Sequence, residues 1–355
     1  MTMRSIKGTR WLLSLLALVI VGCWFLSYTA SFSPVPEHDI MLAASQRTAQ
    51  AYEAVRTQRL SLLPVDAEDD PNATGLIGPM FTGITTTQGQ LEAKRTTTNP
   101  NSGALLVHLL LEAGVSPGDT IAVNLSGSFP AVNIALFCAM EELDVTGIVF
   151  SSVGASTYGA TLPELTYPDM ELLLWKQGII TQRSAYISMG GQHDLGSDMD
   201  PSLVSSIQAR LSHAGYSILT FEDLGENLDF RFQYYNTAPI SCFVNIGGNL
   251  LSFGGSSLMT RLDGGILTQL PAGETGDGLV QRFLRQGTPV INLLGMKDIY
   301  SSSGLPIDPV PLPLPGEGDL YEKVTYNRPA AALFLVVAIV LLWKLWLANH
   351  PRNHY

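Results

Sequence analysis

Two apolar runs, one near each end, constrain this chain more than anything between them. Residues 11–30 read WLLSLLALVIVGCWFLSYTA and residues 330–348 read AAALFLVVAIVLLWKLWLA. Each is close to the roughly 20 residues that a helix needs to cross a bilayer core of about 30 Å. Arg4, Lys7 and Arg10 precede the first run, and the next basic residue after it is Arg47. The excess of positive charge places the N-terminus in the cytoplasm and the middle of the chain outside. The second run has Lys323 and Arg328 before it and Lys344 and Arg352 after it, a balance that does not orient it. Its direction follows from parity, which returns the C-terminus to the cytoplasm. Trp343 and Trp346 suit an interfacial belt, with the Lys344 ammonium reaching the headgroups.

Ile20-Val21-Gly22-Cys23 has the form of a lipobox, where a signal peptide is cut and the new terminal cysteine is acylated. An ordinary membrane cysteine is the favoured reading of Cys23. Trp24, Phe25 and Leu26 prolong the apolar run where a processed lipoprotein turns polar. Cys138 lies in a helical pattern (ALFCAM) and Cys242 in a strand pattern (ISCFVNI), which predicts two buried thiols rather than a disulfide.

All 31 acidic residues fall between Ser31 and Asn327, whereas three of the 20 basic residues precede this stretch and three follow it. The 14 that remain give the middle a net charge of −17. Nucleic-acid binding is disfavoured on that balance, and no nucleic-acid partner is expected.

The organisation expected is a cytoplasmic N-terminus (1–10), a signal-anchor span (11–30), a juxtamembrane helix with an acidic linker (31–74), an α/β domain (75–303), a Pro-rich linker (304–328), a second span (329–348) and a cytoplasmic tail (349–355). Residues 40–60 carry apolar positions at helical spacing, Pro64 ends that helix, and VDAEDDPN reads as a solvated turn. From Asn99 onward, strands (TIAVNL, TGIVFSS, SAYISM, ISCFVNI, TPVINLL) alternate with helices (NSGALLVHLLLEAG, PAVNIALFCAMEELD, PDMELLLWKQ, SLVSSIQARLSHAG, GDGLVQRFLRQG). That alternation predicts a three-layer α/β domain with a mainly parallel sheet.

Several of these strands end in small-residue loops: SGS, SSVGAS, MGG and IGG. In an open parallel sheet such loops line one edge, where ligands bind. Ser126, Gly127, Ser128, Ser152, Gly154, Gly190 and Gly191 are therefore the expected ligand-binding residues. Pro130 would start a helix at the SGS turn, leaving unpaired N–H groups suited to an anion or simply making a tight turn. Lys94 and Arg95, among the hydroxyls of Thr85, Thr86 and Thr87, are a basic pair for meeting carboxylates or a solvated loop pair. Ser126 and Ser128 are the candidate nucleophiles, although no G-x-S-x-G elbow surrounds them. His193 in GGQHDLG is the candidate general base. Asp169, His193 and Asp194 would form a metal site only if separate loops converge. The blander reading of Asp169, Glu164 and Glu171 is complementation of a helix dipole. His108 and His213 read as structural.

GPMFTGITTTQGQLEAKRTTTNP, SGSFPAVNIA, SSVGASTYGA, DMELLL and GGQHDLG, in that order, resemble the poly-gamma-glutamate system protein family, over roughly residues 75–300. The family is bacterial and membrane-associated. The resemblance implies a part in making, exporting or handling that extracellular, capsule-forming polymer, with synthase and export subunits as partners. It implies no established reaction and assigns no catalytic residue. The reading leans to an accessory or binding subunit over an enzyme, with an anionic ligand or polymer; the cofactor is left open, a divalent cation accompanying the polymer being the candidate. The alternatives are a hydrolase or transferase of γ-glutamyl linkages, using Ser126 or Ser128 with His193, and a scaffold for the synthase membrane subunits.

Overall fold

Thr120–Leu125 is buried from Ile121 to its end, the pattern of a central parallel strand rather than of one half exposed to water. The computed structural model describes residues 3–254, 262 and 264–349, so residues 1–2 and 350–355 of the two expected tails lie outside it.

Seven strands form one sheet. They are β3 (Thr120–Leu125), β4 (Thr146–Ser152), β6 (Tyr186–Ser188), β7 (Ser217–Ile218), β8 (Cys242–Ile246), β9 (Gly265–Leu267) and β10 (Val290–Leu293), in the order β7-β6-β4-β3-β8-β10-β9. Every neighbouring pair is parallel except β10 with β9. A separate two-stranded pair joins β2 (Thr85–Thr87) to β5 (Ala155–Ser156) in parallel. The fold is thus α/β with a mostly parallel sheet, as the alternation predicts.

The helices begin where the local chemistry permits. Pro130 occupies the first turn of α5 (Pro130–Leu143), and Asp144 closes it in the left-handed conformation. Thr166 and Asp169 make a reciprocal capping box at α6 (Tyr167–Lys176), while the Asp200 carboxylate accepts N–H groups of α7 (Pro201–His213). On one face of the sheet Phe150, Phe243 and Val290 pack with Leu228 and Tyr235 of α8 (Leu224–Tyr235), Leu251 and Phe253 of α9 (Leu250–Phe253) and Phe283 of α10 (Leu279–Arg285). On the other, Ile187 meets Ile207 and Leu211 of α7. Cys138 and Cys242 are free and buried, and burial pushes both thiols up to about 12.

Two expectations outside the sheet need correction. The helix assigned to a juxtamembrane segment, α2 (His38–Leu62), packs against α4 (Ser102–Glu112) and α5 and buries Met41, Ala44, Ala51, Tyr52 and Val55. Gly103 permits this approach, since a Cβ there would lie 2.5 Å from the Ala44 carbonyl oxygen. In the acidic turn that follows, Asp70 is buried and accepts hydrogen bonds from Thr74 and Gly75 instead of facing water. The Pro-rich segment is likewise not a free linker up to Tyr321. Asp308 pairs with Arg95, Asn72 donates to the Pro309 carbonyl, and Leu305, Leu320 and Tyr321 are buried. Proline restricts the unfolded chain, which lowers the entropy lost when such a strap is laid down. Glu37–Tyr321 accordingly forms one compact unit, wider than 75–303.

The second unit contains α1 (Met3–Tyr28), β1 (Ser31–Pro34), β11 (Glu322–Thr325) and α12 (Arg328–Asn349), with β1 and β11 antiparallel. Phe25 meets Phe334 near one end of the helix pair, and the Lys344 ammonium lies over Trp11 near the other, so α1 and α12 run antiparallel. Both are long and apolar enough to cross a membrane and bury almost none of that surface, which is compatible with membrane association. Gly22 is buried against the Phe334 ring, so the glycine of the lipobox-like run has a packing role, while Cys23 is exposed.

Candidate functional site

The strands reach one edge almost level: Leu125 is opposite Ser151 and Ile246, and Ile246 is opposite Leu293. From β3 the chain moves to β4 on one side, whereas from β8 it moves to β9 and then β10 on the other. Their loops diverge there, and a crevice opens at this switch point. A cavity of about 560 Å³ occupies it, lined from β3 by Ser126 and Ser128, from β4 by Ser152 and Gly154, and from β8 by Asn249. Its roof is the segment 86–89, tied down by β2 pairing with β5 and by Gly89 N–H donating to Thr157 Oγ1 at 2.7 Å.

α3 (Leu91–Thr97) carries Lys94 into this cavity and Arg95 away from it. Lys94 is 2 % exposed. Its Nζ donates to Ser156 Oγ at 2.7 Å and to the Ser128 carbonyl oxygen, and lies 3.8 Å from the centre of the Phe129 ring. Among the described residues no carboxylate pairs with it, and burial lowers its pKa to about 7. Arg95 instead forms a two-pronged ion pair with Asp308, which raises its pKa. Sequence adjacency had joined them, but neighbours on a helix point about 100° apart.

The SGS turn is close-packed. Ser126 N–H continues the sheet by donating to the Ile246 carbonyl, Asn133 holds the Ser126 carbonyl, and Ser128 Oγ accepts from Ser156 N–H at 3.0 Å. Gly127 is required by space rather than by positive φ, because a Cβ would lie 2.5 Å from the Val153 carbonyl oxygen. Gly127→Ala is therefore expected to lower stability by about 1–3 kcal/mol through overpacking. Chemical unfolding of the purified chain in micelles checks this, and an unchanged midpoint would remove the packing account.

His193 is exposed, at φ 58°, and neither serine hydrogen-bonds to it, so no serine–histidine pair is assembled. Asp194, beside it, is buried. It accepts from Ser188 Oγ at 2.8 Å, Asn227 Nδ2 at 2.9 Å and Arg231 Nη2 at 2.7 Å. Asp169 is absorbed by its capping box and by Arg210, at 2.8 Å. No group of three metal-ligating side chains exists among the described residues, and the expected trio does not converge. Glu171 is also not a dipole partner. It is buried, accepts from Ser184 and Tyr216, and has its pKa raised by burial. Glu164, His108 and His213 are exposed. Gly190 and Gly191 both have positive φ, and only Gly191 lines the cavity.

Two features escaped sequence reasoning. Ser156 is one: it ends β5 and is the last residue of the SSVGAS run, where Ser152 and Gly154 are the residues that sequence reasoning selects. The other is a buried polar lattice beneath the cavity. Arg231 Nη1 donates to Asn124 Oδ1 at 2.7 Å, Asn124 donates to Ser252, Ser252 to Asn245, and Asn245 to Asn292. Asn124, Asn245 and Asn292 are in register across β3, β8 and β10, a ladder visible only once strand order is known.

The fold and cavity define a class: an open, mainly parallel α/β domain with a hydroxyl-rich cavity and a buried lysine, Lys94, at its switch point. Comparison of the chain with protein families, curated proteins and solved structures returns no match.

Proposed function

We propose that the chain is a membrane-anchored accessory or binding subunit of poly-γ-glutamate synthesis or export, whose three-layer α/β domain stands outside the cytoplasmic membrane with both termini inside. The resemblance at GPMFTGITTTQGQ and the motifs after it supports the polymer, and the antiparallel apolar helices support the anchoring. The observation that carries a binding role is the cavity itself. Ser126, Ser128 and Ser152 line it together with Lys94, the one basic side chain among its described lining residues, an arrangement suited to one carboxylate. The acidic surface repels a polyanion at long range, so recognition is local, at a chain end or a single glutamyl unit, with a divalent cation screening the remainder.

The test is titration of the full chain in micelles with γ-linked glutamate oligomers, alongside right-side-out spheroplasts given a fluorescent oligomer. Saturable binding is expected, tighter at pH 6 than at pH 8 because Lys94 is then protonated, and weakened at least tenfold by Lys94→Met. Spheroplasts should bind without permeabilisation. Equal binding by the Lys94→Met variant would sink the cavity as the site, and label only after lysis would reverse the topology.

A further inference from the structure

We propose that Ser156 and Lys94 form a nucleophile and general-base pair for acyl transfer, acting on an amide or ester of a small carboxylic acid held in the cavity. The inference rests on the cavity being the ligand site but requires no particular polymer. Lys94 Nζ stands 2.7 Å from Ser156 Oγ, within the reach a general base needs. Its other hydrogen bond runs to the Ser128 carbonyl oxygen, which can only accept, and the Phe129 ring 3.8 Å away offers no lone pair or counter-charge. A neutral amine satisfies both neighbours at once: one N–H goes to Ser128 and the lone pair faces the Ser156 hydroxyl proton. The ammonium form would be buried without a counter-charge, which burial disfavours.

The surrounding groups leave the lysine in that role. On α3 itself Glu92 is paired with Lys297 of α11 (Met296–Ser302), and Arg95 with Asp308. Tyr300 of α11 bonds Ser102, and Asp298 lines a neighbouring pocket. The cavity's other titratable groups are Asp194, held by Arg231, and Asp198, which accepts from Gln192 N–H. Burial is the cause of the Lys94 shift. Ser156 N–H donates to Ser128 Oγ, so the nucleophile sits beside the start of α5, whose first-turn N–H groups lack intrahelical acceptors.

In the reaction, Ser156 Oγ attacks the acyl carbon while its proton passes to Lys94 Nζ. The tetrahedral adduct collapses, the bond to the amine or alcohol breaks, and the Lys94 ammonium returns the proton to that leaving group. Water then attacks the acyl-serine, with Lys94 again taking and returning one proton, which frees the acid and restores Ser156. An acceptor amine in place of water gives transfer rather than hydrolysis.

An alkyl fluorophosphonate applied to the full chain in micelles tests this, with the adduct mapped by peptide mass spectrometry. A single adduct on Ser156 is expected, formed faster as pH rises and levelling above about 7, the pKa of Lys94. Lys94→Arg keeps a positive charge that cannot act as a base and should slow labelling at least tenfold, and Ser156→Ala should abolish it. Mapping on the unaltered chain needs no variant to fold. No adduct, an adduct on another serine such as Ser128, or a rate indifferent to Lys94→Arg overturns the proposal. Oligomer binding strengthens below pH 7 and labelling above it, so loss of one with retention of the other separates failure of the binding reading from failure of this one.

Discussion

Arg231→Met should lower the unfolding free energy of the full chain by about 3–5 kcal/mol, the cost of leaving one partner of a buried ion pair alone. Both Arg231 and Asp194 are almost fully buried, with Nη2 and Oδ2 2.7 Å apart. Arg231 also donates to Asn227 at 3.0 Å, to Asn124 at 2.7 Å and to Ser188 at 3.1 Å, and lies over the Phe150 ring. Methionine fills similar space but supplies none of these donors, so the Asp194 charge and the Asn124 carbonyl lose their partner together. Adding Asp194→Asn removes the stranded charge. The double variant is therefore expected to be more stable than the sum of the two single losses predicts, by a coupling of about 1–3 kcal/mol. Urea unfolding in micelles, followed by tyrosine fluorescence, reads all four corners. Additive losses would mean that the pair is not coupled, and a single-variant loss below about 1 kcal/mol would mean that the lattice does not hold the sheet.

Lys94→Met should change stability by an amount that depends on pH. The folded pKa of Lys94 is about 7, against about 10.4 for a free lysine. Between those values the unfolded state holds a proton that the native state has released, so the wild type gains stability as pH rises across that window. Below pH 7 both states hold the proton, and the native state bears the full cost of a buried, unpaired ammonium. Measured against the methionine variant, which has no such proton, the wild type should gain about 2.5 kcal/mol from pH 6 to pH 9. The comparison cancels every other titrating group that the substitution leaves in place. A difference that stays flat over this range would show that Lys94 keeps an ordinary pKa, and the base in the proposed pair would then be lost.

Much of the fold is legible in local pattern. β3, β4, β8 and β10 are apolar runs closed by small residues, and α5 and α7 carry Pro130 and Asp200-Pro201 at their starts. α8 is not legible in the same way. Its buried stripe runs Leu228, Arg231 and Tyr235, so an arginine stands where an apolar residue would mark the period. α2 was found as a helix with nearly correct limits, but its burial depends on Gly103 of another helix. The strap at 304–321 was misread for a similar reason. Proline content describes the local backbone, whereas the contacts that hold the strap come from Asn72, Arg95 and Asn101, far away in sequence.

The site divides along the same line. Ser126, Ser128, Ser152, Gly154 and Gly191 were found together because they follow parallel strands, and parallel strands bring their C-terminal ends to one edge. That convergence is built into the alternation of elements, so sequence by itself determined the edge, along with the two apolar helices and the acidity of the region between them. Only the tertiary structure decided what each titratable group does there. It turned Arg95 outward and Lys94 inward, gave Asp194 to Arg231, kept Asp169 at a helix start, and brought Ser156 within 2.7 Å of an amine 62 positions earlier in the chain. The physical reason is range. Period, capping and hydropathy act over a few residues and can be read in order, whereas desolvation and charge pairing depend on neighbours that the chain meets only after it has folded.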